Sequence, residues 1–315
     1  MLDFEHCAEI IEVGYQATRA TSRLAADPPE TLKREFAMSD ALSSSSLKAG
    51  HANPAWNKPF LRIGHGGAAG HARANSLRSL TLALEMGVDV VEFDVRPCRD
   101  TLVLLHDDKL TQFGVQKLPG DSTLTELRAL DTGLDGPIPT FAEALDLVKG
   151  RALLNVDVKG AGYEDAILER VRAKGMLGDI LFSSLIPASL LRLRQLEPGA
   201  MTGLSYPEDR GNASGNPYLK PVVNVVVALM RLTLPYRILG MMTNARSNAV
   251  MLFHKVVSRP SVQTVQRAGG KVFTWTVDEP AQMRRLQRLG VNGVTSNHPE
   301  LFDQLEHQTK PGIRL

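Results

Sequence analysis

The sequence predicts an α/β fold, a (β/α)8 or TIM barrel, preceded by an N-terminal extension. From residue 59 onward, short apolar segments with strand character alternate with segments of helical periodicity, which indicates a parallel sheet. About eight such units in about 250 residues match the size of a closed barrel. A doubly wound open sheet is the second choice, because no glycine-rich dinucleotide-binding motif follows the first strand.

The eight barrel strands are predicted at 60–64, 88–95, 151–158, 179–183, 200–204, 248–253, 271–276 and 292–296. Helical patterns lie between most of them, at 75–86, 140–149, 162–174, 187–196, 261–268 and 279–289, and a last helix is predicted at 299–308. One further strand, 102–106, follows the second barrel strand after a turn near Arg99 and Asp100. So short a link requires antiparallel pairing, and it places His106 opposite Phe93.

Residues 1–58 form the predicted extension and residues 59–315 the barrel domain. Helical patterns occur within 6–36, whereas 37–58, which contains a run of serines from Ser43 to Ser46, has the composition of a linker. We expect this extension to be partly helical or disordered.

The composition is typical of a globular protein, with 43% hydrophobic and 22% charged residues. A formal net charge of +2 gives no electrostatic support for a nucleic-acid partner. The chain has only two cysteines, Cys7 and Cys98, which indicates a reducing compartment. No signal peptide is visible at the N-terminus, so we expect a cytoplasmic protein, with membrane association left open.

Two carboxylates share one face of a predicted buried strand. Glu92 and Asp94 are two positions apart, so both side chains point to the same side. Asp157 lies on the next barrel strand, where Asn155, Asp157 and Lys159 also share a face. Neighbouring buried acids stay ionised only if a cation lies between them, and oxygen ligands suit a hard cation. We therefore predict that Glu92, Asp94 and Asp157 bind Mg²⁺ or Ca²⁺, the alternative being ion pairing, for example of Asp157 with Lys159.

Two histidines and a tryptophan complete the predicted site. His65 ends the first strand, His106 closes the hairpin and Trp275 ends the seventh barrel strand, and barrel enzymes carry their chemistry at these carboxyl ends. Histidines, with an unperturbed pKa of about 6.5, can act as acid and base near neutral pH. Lys159 adds a fixed positive charge that would stabilise a phosphoryl transition state. Each residue also has a structural interpretation, but their joint placement favours the functional one.

These residues resemble the motifs of the glycerophosphodiester phosphodiesterase family. That family has a His-Arg-Gly start, a Pro-Glu-Asn-Thr helix entry, a Glu-Leu-Asp-Val strand and a His-Asp strand end. The corresponding segments here are His65-Gly-Gly67, Arg73-Ala-Asn-Ser76, Glu92-Phe-Asp-Val95 and His106-Asp107. Asn155-Val-Asp-Val-Lys159 stands where the family has Glu-Ile-Lys, and the resemblance extends over about 59–305.

The resemblance implies a TIM-barrel hydrolase of glycerophosphodiesters that depends on Mg²⁺ or Ca²⁺. It also implies a role for each matching residue: metal binding for Glu92, Asp94 and Asp157, acid/base catalysis for His65 and His106, phosphate contact for Lys159, and the substrate pocket for Trp275.

Three departures from the family pattern bear on substrate and metal. The phosphate-binding Arg of the family is Gly66 here, the Glu of the helix entry is Ala74, and the third ligand is Asp157 rather than Glu. An Asp in this place also resembles sphingomyelinase D-type enzymes. Candidates to replace the missing Arg are Arg62, Arg73 and Arg96.

The segment 216–242 has a charge-free apolar run of ten residues, Pro221 to Met230, too short to span a bilayer. One interpretation is a barrel helix buried on all sides. The other is an interfacial segment whose basic residues, Lys220, Arg231 and Arg237, meet lipid phosphates.

The leading hypothesis is therefore metal-dependent hydrolysis of a glycerophosphodiester to glycerol phosphate and an alcohol. One alternative is lysophospholipase D or sphingomyelinase D-like cleavage of a membrane lipid, with peripheral membrane contact through 216–242. Another is a non-catalytic barrel that binds phosphate or lipid.

Overall fold

A computed structural model of the chain describes residues 52–130, 133–207 and 220–306. The predicted helices within 6–36 and the serine run lie outside these residues. The described strands are β1 (Leu61–Gly64), β2 (Val90–Pro97), β3 (Leu102–Leu104), β4 (Leu153–Val158), β5 (Ile180–Ser184), β6 (Met201–Tyr206), β7 (Ala249–Phe253), β8 (Lys271–Trp275) and β9 (Gly293–Ser296).

The described α-helices are α1 (Leu77–Glu85), α2 (Leu124–Arg128), α3 (Phe141–Val148), α4 (Glu164–Lys174), α5 (Pro187–Leu196), α6 (Lys220–Asn244), α7 (Arg259–Arg267), α8 (Pro280–Leu289) and α9 (Asp303–Glu306). Each predicted barrel strand is found with ends shifted by at most two residues. The predicted helices are also found, although the last begins as a 3-10 turn, Pro299–Phe302, and its residues 307–308 lie outside the described chain.

Eight of the strands pair in parallel and close into a barrel, because β1 pairs with both β2 and β9. This confirms the predicted TIM barrel and excludes the open sheet. The ninth, β3, pairs antiparallel with the end of β2, and Val95 lies opposite Leu104. That register confirms the predicted hairpin, and its continuation brings His106 back towards the carboxyl end of β2.

The inward-facing rows of the strands change character along the barrel axis. Near the amino ends the inward side chains are apolar and pack together, at Leu61, Ile63, Val90, Leu153, Leu181, Met201, Ala249, Met251 and Phe273. At strand spacing the same rows continue to Glu92 and Asp94 in β2 and to Asn155 and Asp157 in β4. The polar residues therefore collect at the carboxyl edge, above an apolar layer.

The amino edge of the barrel is closed by residues that precede β1. Pro54–Asn57 form a 3-10 turn, and Trp56, 1% exposed, packs edge-on against Phe273 with ring centroids 6.1 Å apart. Asn53 anchors the turn, since its amide donates to Asp179 at 2.7 Å. The linker interpretation therefore does not hold for residues 53–57, which are part of the barrel.

Helix α6 is longer than the other described helices. Its C-terminal half packs on the barrel through Leu234, Ile238 and Met242, each at most 2% exposed. Its outward face leaves apolar side chains in solvent along the helix, with Val225 60%, Leu232 66% and Tyr236 69% exposed. The interpretation of 216–242 as a helix buried on all sides is therefore wrong, and residues 216–219 lie outside the described chain.

The length of α6 carries it beyond the barrel. At about 1.5 Å per residue its 25 residues span roughly 37 Å, more than twice the length of the 8–11-residue helices around it. Because α6 precedes β7, the excess lies towards the carboxyl edge. By length and composition, Val222–Asn244 could also cross a bilayer, with a mean hydropathy of 1.6, but its packed half is part of the barrel wall.

Candidate active site

Three buried carboxylates meet at the carboxyl edge of β2 and β4. Asp94 and Asp157 are neighbours in the β2–β4 register, and Glu92 lies one inward position below Asp94. Glu92 is 5% exposed, Asp94 3% and Asp157 8%, and one oxygen of each lies within 4.8 Å of the others. The sequence placed these three residues together, and the structure does so.

Asn75 fixes the orientation of Asp94 by two hydrogen bonds. Its amide nitrogen donates to Oδ2 of Asp94 at 2.7 Å, and its amide oxygen accepts from the backbone N–H of Asp94 at 2.9 Å. Asn75 adopts a positive φ of 63°, which asparagine tolerates better than most residues. This side chain therefore holds the carboxylate in one geometry.

Glu92 and Asp157 are each held by one further donor. The backbone N–H of Gly66 donates to Oε2 of Glu92 at 2.7 Å, and the hydroxyl of Ser183 donates to Oδ1 of Asp157 at 2.7 Å. Each carboxylate thus has one oxygen held by an amide, backbone or hydroxyl donor, and its second oxygen has no such donor.

Lys159 bridges two of the acids. Its Nζ lies 2.9 Å from Oδ1 of Asp94 and 2.6 Å from Oδ2 of Asp157. Burial alone would lower the pKa of Lys159, but the two carboxylates outweigh it and raise that pKa. In the same way, burial would raise the pKa of Asp94, but Lys159 holds it below its usual value. The pairing of Asp157 with Lys159, considered above as an alternative, is thus present and coexists with the three-acid cluster.

Glu92 carries the charge that this pairing leaves uncompensated. Burial and the neighbouring charge of Asp94 raise the pKa of Glu92 to about 7. Three carboxylates face the ammonium of Lys159 and the imidazole of His65, and the raised pKa of Glu92 shows that these do not fully offset the negative charge. A cation would remove that deficit.

His65 lies beside this cluster and is fixed by Asn297. Both the side-chain amide and the backbone N–H of Asn297 donate to Asp278, at 2.7 and 2.8 Å, which turns its amide oxygen towards His65. Nδ1 of His65 is 2.7 Å from that oxygen and must therefore carry the proton. Burial would lower the pKa of His65, but Glu92 and Asp94 outweigh it, and the pKa is raised.

His106 lies at the mouth of the same cavity. Its side chain is 62% exposed, and its Nδ1 is 2.7 Å from Oδ1 of Asp107. Arg96 holds the backbone here, since its Nε donates to the carbonyl of His106 at 2.9 Å. Asp107, which on sequence grounds reads as a solvated turn residue, thus orients the imidazole.

Glu92, Asp157, Lys159 and both histidines line one cavity of about 180 Å³, and Asp94 lies behind its wall. Trp275 forms part of its wall, and its indole N–H donates to the carbonyl of Met251 at 2.9 Å. The cavity is lined by His65, Glu92, His106, Asn155, Asp157, Lys159, Ser183, Leu185, Ser205, Met251, Trp275, Thr276 and Thr295.

No arginine lines this cavity in the described part of the chain. Arg62 binds Asp89 at the amino edge, whereas Arg73 donates to the carbonyl of Gly136. Arg96 binds the backbone of His106, as described above. None of the three therefore takes the position of the family arginine, and Lys159 is the cavity's permanent cation.

Sequence reasoning missed the residues that orient the site. Ser183 and Asn297 both lie at or just beyond the end of a strand, so the rule that chemistry collects at carboxyl ends could have identified them. His71 and His298 form a hydrogen-bonded cluster with Glu300 at the same edge, at 2.8 and 3.2 Å.

Acids, a buried lysine and histidines that converge at the carboxyl edge of a barrel are the arrangement of a TIM-barrel enzyme's active site. Comparison with known protein families identifies the class of enzyme. The model of the glycerophosphoryl diester phosphodiesterase family matches residues 65–301, and the chain belongs to that family. It is accordingly a phosphoric diester hydrolase.

Individual relatives are distant but cover most of the chain. A glycerophosphodiester phosphodiesterase from Caldanaerobacter subterraneus is 24% identical over 78% of this chain and 97% of its own length. One from Arabidopsis thaliana is 28% identical, over 78% of this chain and 73% of its own. An Oleispira antarctica phosphodiesterase, solved with sn-glycerol-3-phosphate as product, superposes with a TM-score of 0.62 at 23% identity, covering 77% of this chain and 94% of that one.

Proposed function

We propose that the enzyme hydrolyses glycerophosphodiesters to glycerol phosphate and an alcohol, with a divalent cation and a histidine pair. The observation that carries this proposal is the cluster of three buried carboxylates, two of which, Glu92 and Asp157, line one cavity with His65. The glycerol phosphate bound to the Oleispira relative is consistent with the substrate class. A binding-only barrel is less well supported, because phosphate binding alone needs neither the acids nor the histidines.

The donor set fits a hard cation. Oε1 of Glu92, Oδ1 of Asp94 and Oδ2 of Asp157 are the oxygens that the amide and hydroxyl donors leave uncommitted. Two of them now contact the ammonium of Lys159, so this position already accommodates positive charge. All-oxygen ligands suit Mg²⁺ or Ca²⁺, and the short side chain of Asp157 is easier to accommodate with Ca²⁺, which tolerates irregular geometry. Once bound, the cation would stabilise charge on the phosphoryl oxygens.

The protein's own groups would move the protons and hold the phosphate. His65, whose raised pKa favours the protonated imidazole, gives its proton to the leaving alkoxide. His106, with Nδ1 donating to Asp107, presents Nε2 as the base that deprotonates the attacking water or a neighbouring substrate hydroxyl. Lys159 contacts a phosphoryl oxygen, and Trp275 packs on the substrate's alcohol portion.

The test is phosphorus NMR with glycerophosphocholine, in the presence of Mg²⁺, Ca²⁺ or excess EDTA. We expect a phosphomonoester or cyclic phosphate that disappears with EDTA. His65→Ala and Asp94→Asn should each lower kcat/KM by at least about 100-fold. His71→Ala, a histidine at the same edge but outside the cavity, is the matched control and should retain activity. Turnover unaffected by EDTA, or by either site variant, would refute the assignment.

A second candidate substrate is a lysophospholipid at a membrane surface. It is favoured by α6, whose outward face exposes Val225 and Leu232. An apolar helix face of this kind can enter the headgroup region of a bilayer. The same catalytic groups would serve, and only the source of the substrate would differ.

Substitution of the exposed residues tests this candidate. Val225→Ser with Leu232→Ser should lower vesicle binding roughly tenfold, because each removes apolar surface that would enter the bilayer. Glycerophosphocholine turnover should be unchanged, and lysophosphatidylcholine turnover should fall with binding. Thr125→Ser, at an exposed position on the distant helix α2, serves as the control. If the native protein does not sediment with vesicles, the candidate is rejected.

A further inference from the structure

A second cavity at the carboxyl edge gathers basic side chains. It measures about 400 Å³ and lies between the middle of α6, the loop after β7 and the first turns of α8. It is lined by Arg231, His254, Lys255, Ala281, Gln282 and Arg285. No acidic residue is among them, in contrast to the active-site cavity.

The three positive charges are uncompensated. Within the described part of the chain, none of Arg231, Lys255 and Arg285 forms an ion pair. Arg285 makes one long hydrogen bond to the carbonyl of Val257, at 3.4 Å, and Lys255 lies 5.8 Å from the ring centre of Phe253. Burial and the charge of Arg231 lower the pKa of Arg285, which shows that the cations repel one another. An anion between them would relieve that repulsion.

One further feature makes the cavity suitable for an anion. Helix α8 begins here with Pro280, Ala281 and Gln282 follow in its first turn, and Glu279 at its N-cap makes no side-chain cap. Free N–H groups at the start of a helix bind anions, and the helix dipole adds to the attraction.

The surroundings of the cavity indicate where the anion comes from. Arg231 lies on α6 next to Leu232, which is 66% exposed, and Val225 is 60% exposed two turns earlier. A basic pocket beside an exposed apolar helix is the arrangement by which proteins bind anionic lipid surfaces. The pocket also adjoins the active site, since Phe253 packs against Trp275 with ring centroids 5.7 Å apart.

We propose that Arg231, Lys255, Arg285 and the first turn of α8 form a second phosphate-binding site whose occupant is the headgroup phosphate of an anionic phospholipid. The site is separate from the catalytic cavity and would bring its mouth to the membrane surface. This inference deepens the membrane contact proposed above, and rests on it, by naming the group that is recognised.

The test compares two charge-matched variants by sedimentation with vesicles. One is Arg231→Gln with Lys255→Gln and Arg285→Gln. The control is Lys149→Gln with Arg267→Gln and Arg288→Gln, three basic residues at the opposite edge of the barrel. Vesicles are phosphatidylcholine alone or with about 30 mol% phosphatidylglycerol. We expect the pocket variant to lose about 100-fold in partitioning to the anionic vesicles, and the control less than about threefold.

Catalysis and soluble phosphate provide the other readouts. Both variants should hydrolyse glycerophosphocholine at the native rate. If the proposed activity itself is wrong, the native enzyme will also fail to hydrolyse this substrate, which distinguishes that outcome from failure of the lipid site. Equal vesicle binding by the two variants would overturn the inference. The inference would also be overturned if the native protein bound inorganic phosphate at the pocket but did not bind vesicles, and the pocket variant bound neither. Lys255→Gln alone, at an exposed position, should show a smaller loss of partitioning to anionic vesicles. This single variant keeps the test valid if the triple variant does not fold.

Discussion

Gly66 and Ala74 stand where the family carries Arg and Glu, and in the fold these two positions touch. A Cβ added to Gly66 would lie 2.8 Å from the Cβ of Ala74, closer than real Cβ contacts allow. Gly66 also has a φ of +50°, in the left-handed region that disfavours larger residues. The two departures are thus linked: the backbone of Gly66 approaches the helix entry too closely for a side chain to leave it.

Restoring the family arginine should consequently not restore its function. Gly66→Arg is expected to lower the free energy of unfolding by about 1–3 kcal/mol, through backbone strain and the contact with Ala74, without lowering KM for glycerophosphocholine. Urea denaturation and steady-state kinetics measure both quantities. Gly66→Ala introduces the same Cβ without the charge and should lose about as much stability. An arginine variant of native stability and lower KM would show instead that Ala74 moves aside.

At the scale of elements, the barrel itself was readable from the sequence because its parallel strands are buried on both faces and appear as apolar runs. The hairpin was readable because a short link permits only antiparallel pairing. The exposure of α6 could not be predicted from the sequence, because it depends on how the long helix packs against the barrel. Nor were Ser183 and Asn297 identified, since their roles arise from contacts between strands and loops distant in sequence.

The turn before β1 was likewise missed, because Trp56 lies in a segment of polar and loop-forming residues. Its burial makes it a stability element rather than a linker. Trp56→Ala should lower the free energy of unfolding by about 3–5 kcal/mol, because it leaves a cavity at the amino edge.

Trp56→Phe is the matched control. It keeps most of the apolar contact with Phe273 and removes an indole N–H that is buried without a partner, so it should cost much less. Denaturant unfolding measures both, and kcat should be near native because the active site lies at the other edge. A loss in Trp56→Ala below about 1 kcal/mol would mean that the turn is not part of the folded barrel.

At the scale of the described molecule, the candidate active-site cavity and the basic pocket share the carboxyl edge of the barrel. Trp56 closes the amino edge. This arrangement leaves an acidic cluster inside the barrel that Lys159 and His65 only partly neutralise. The stability of the metal-free protein should therefore depend on pH near neutrality.

Two groups with raised pKa values make stability fall as pH rises, and His254, whose pKa burial lowers, opposes them only near and below its ordinary value of 6.5. The folded-state pKa of Glu92, about 7, lies above its ordinary value of 4.5, and the pKa of His65 is raised above 6.5. Both therefore bind protons more tightly in the folded than in the unfolded chain, so stability is greatest at low pH and falls as pH rises through these folded-state values. The lowered pKa of Asp94 acts only below its ordinary value of 3.8, outside this window.

We therefore expect the melting temperature in EDTA to fall between about pH 5 and about pH 8. Mg²⁺ or Ca²⁺ should reverse the trend, because binding displaces the proton of Glu92, and apparent affinity should rise by up to about tenfold per pH unit below pH 7. Calorimetry with and without the cation measures both effects. Glu92→Gln removes the main titrating group and should flatten the EDTA profile, leaving the smaller slope of His65. A native profile in EDTA that is flat or rises with pH would show that the charge deficit of the cluster is compensated by another group.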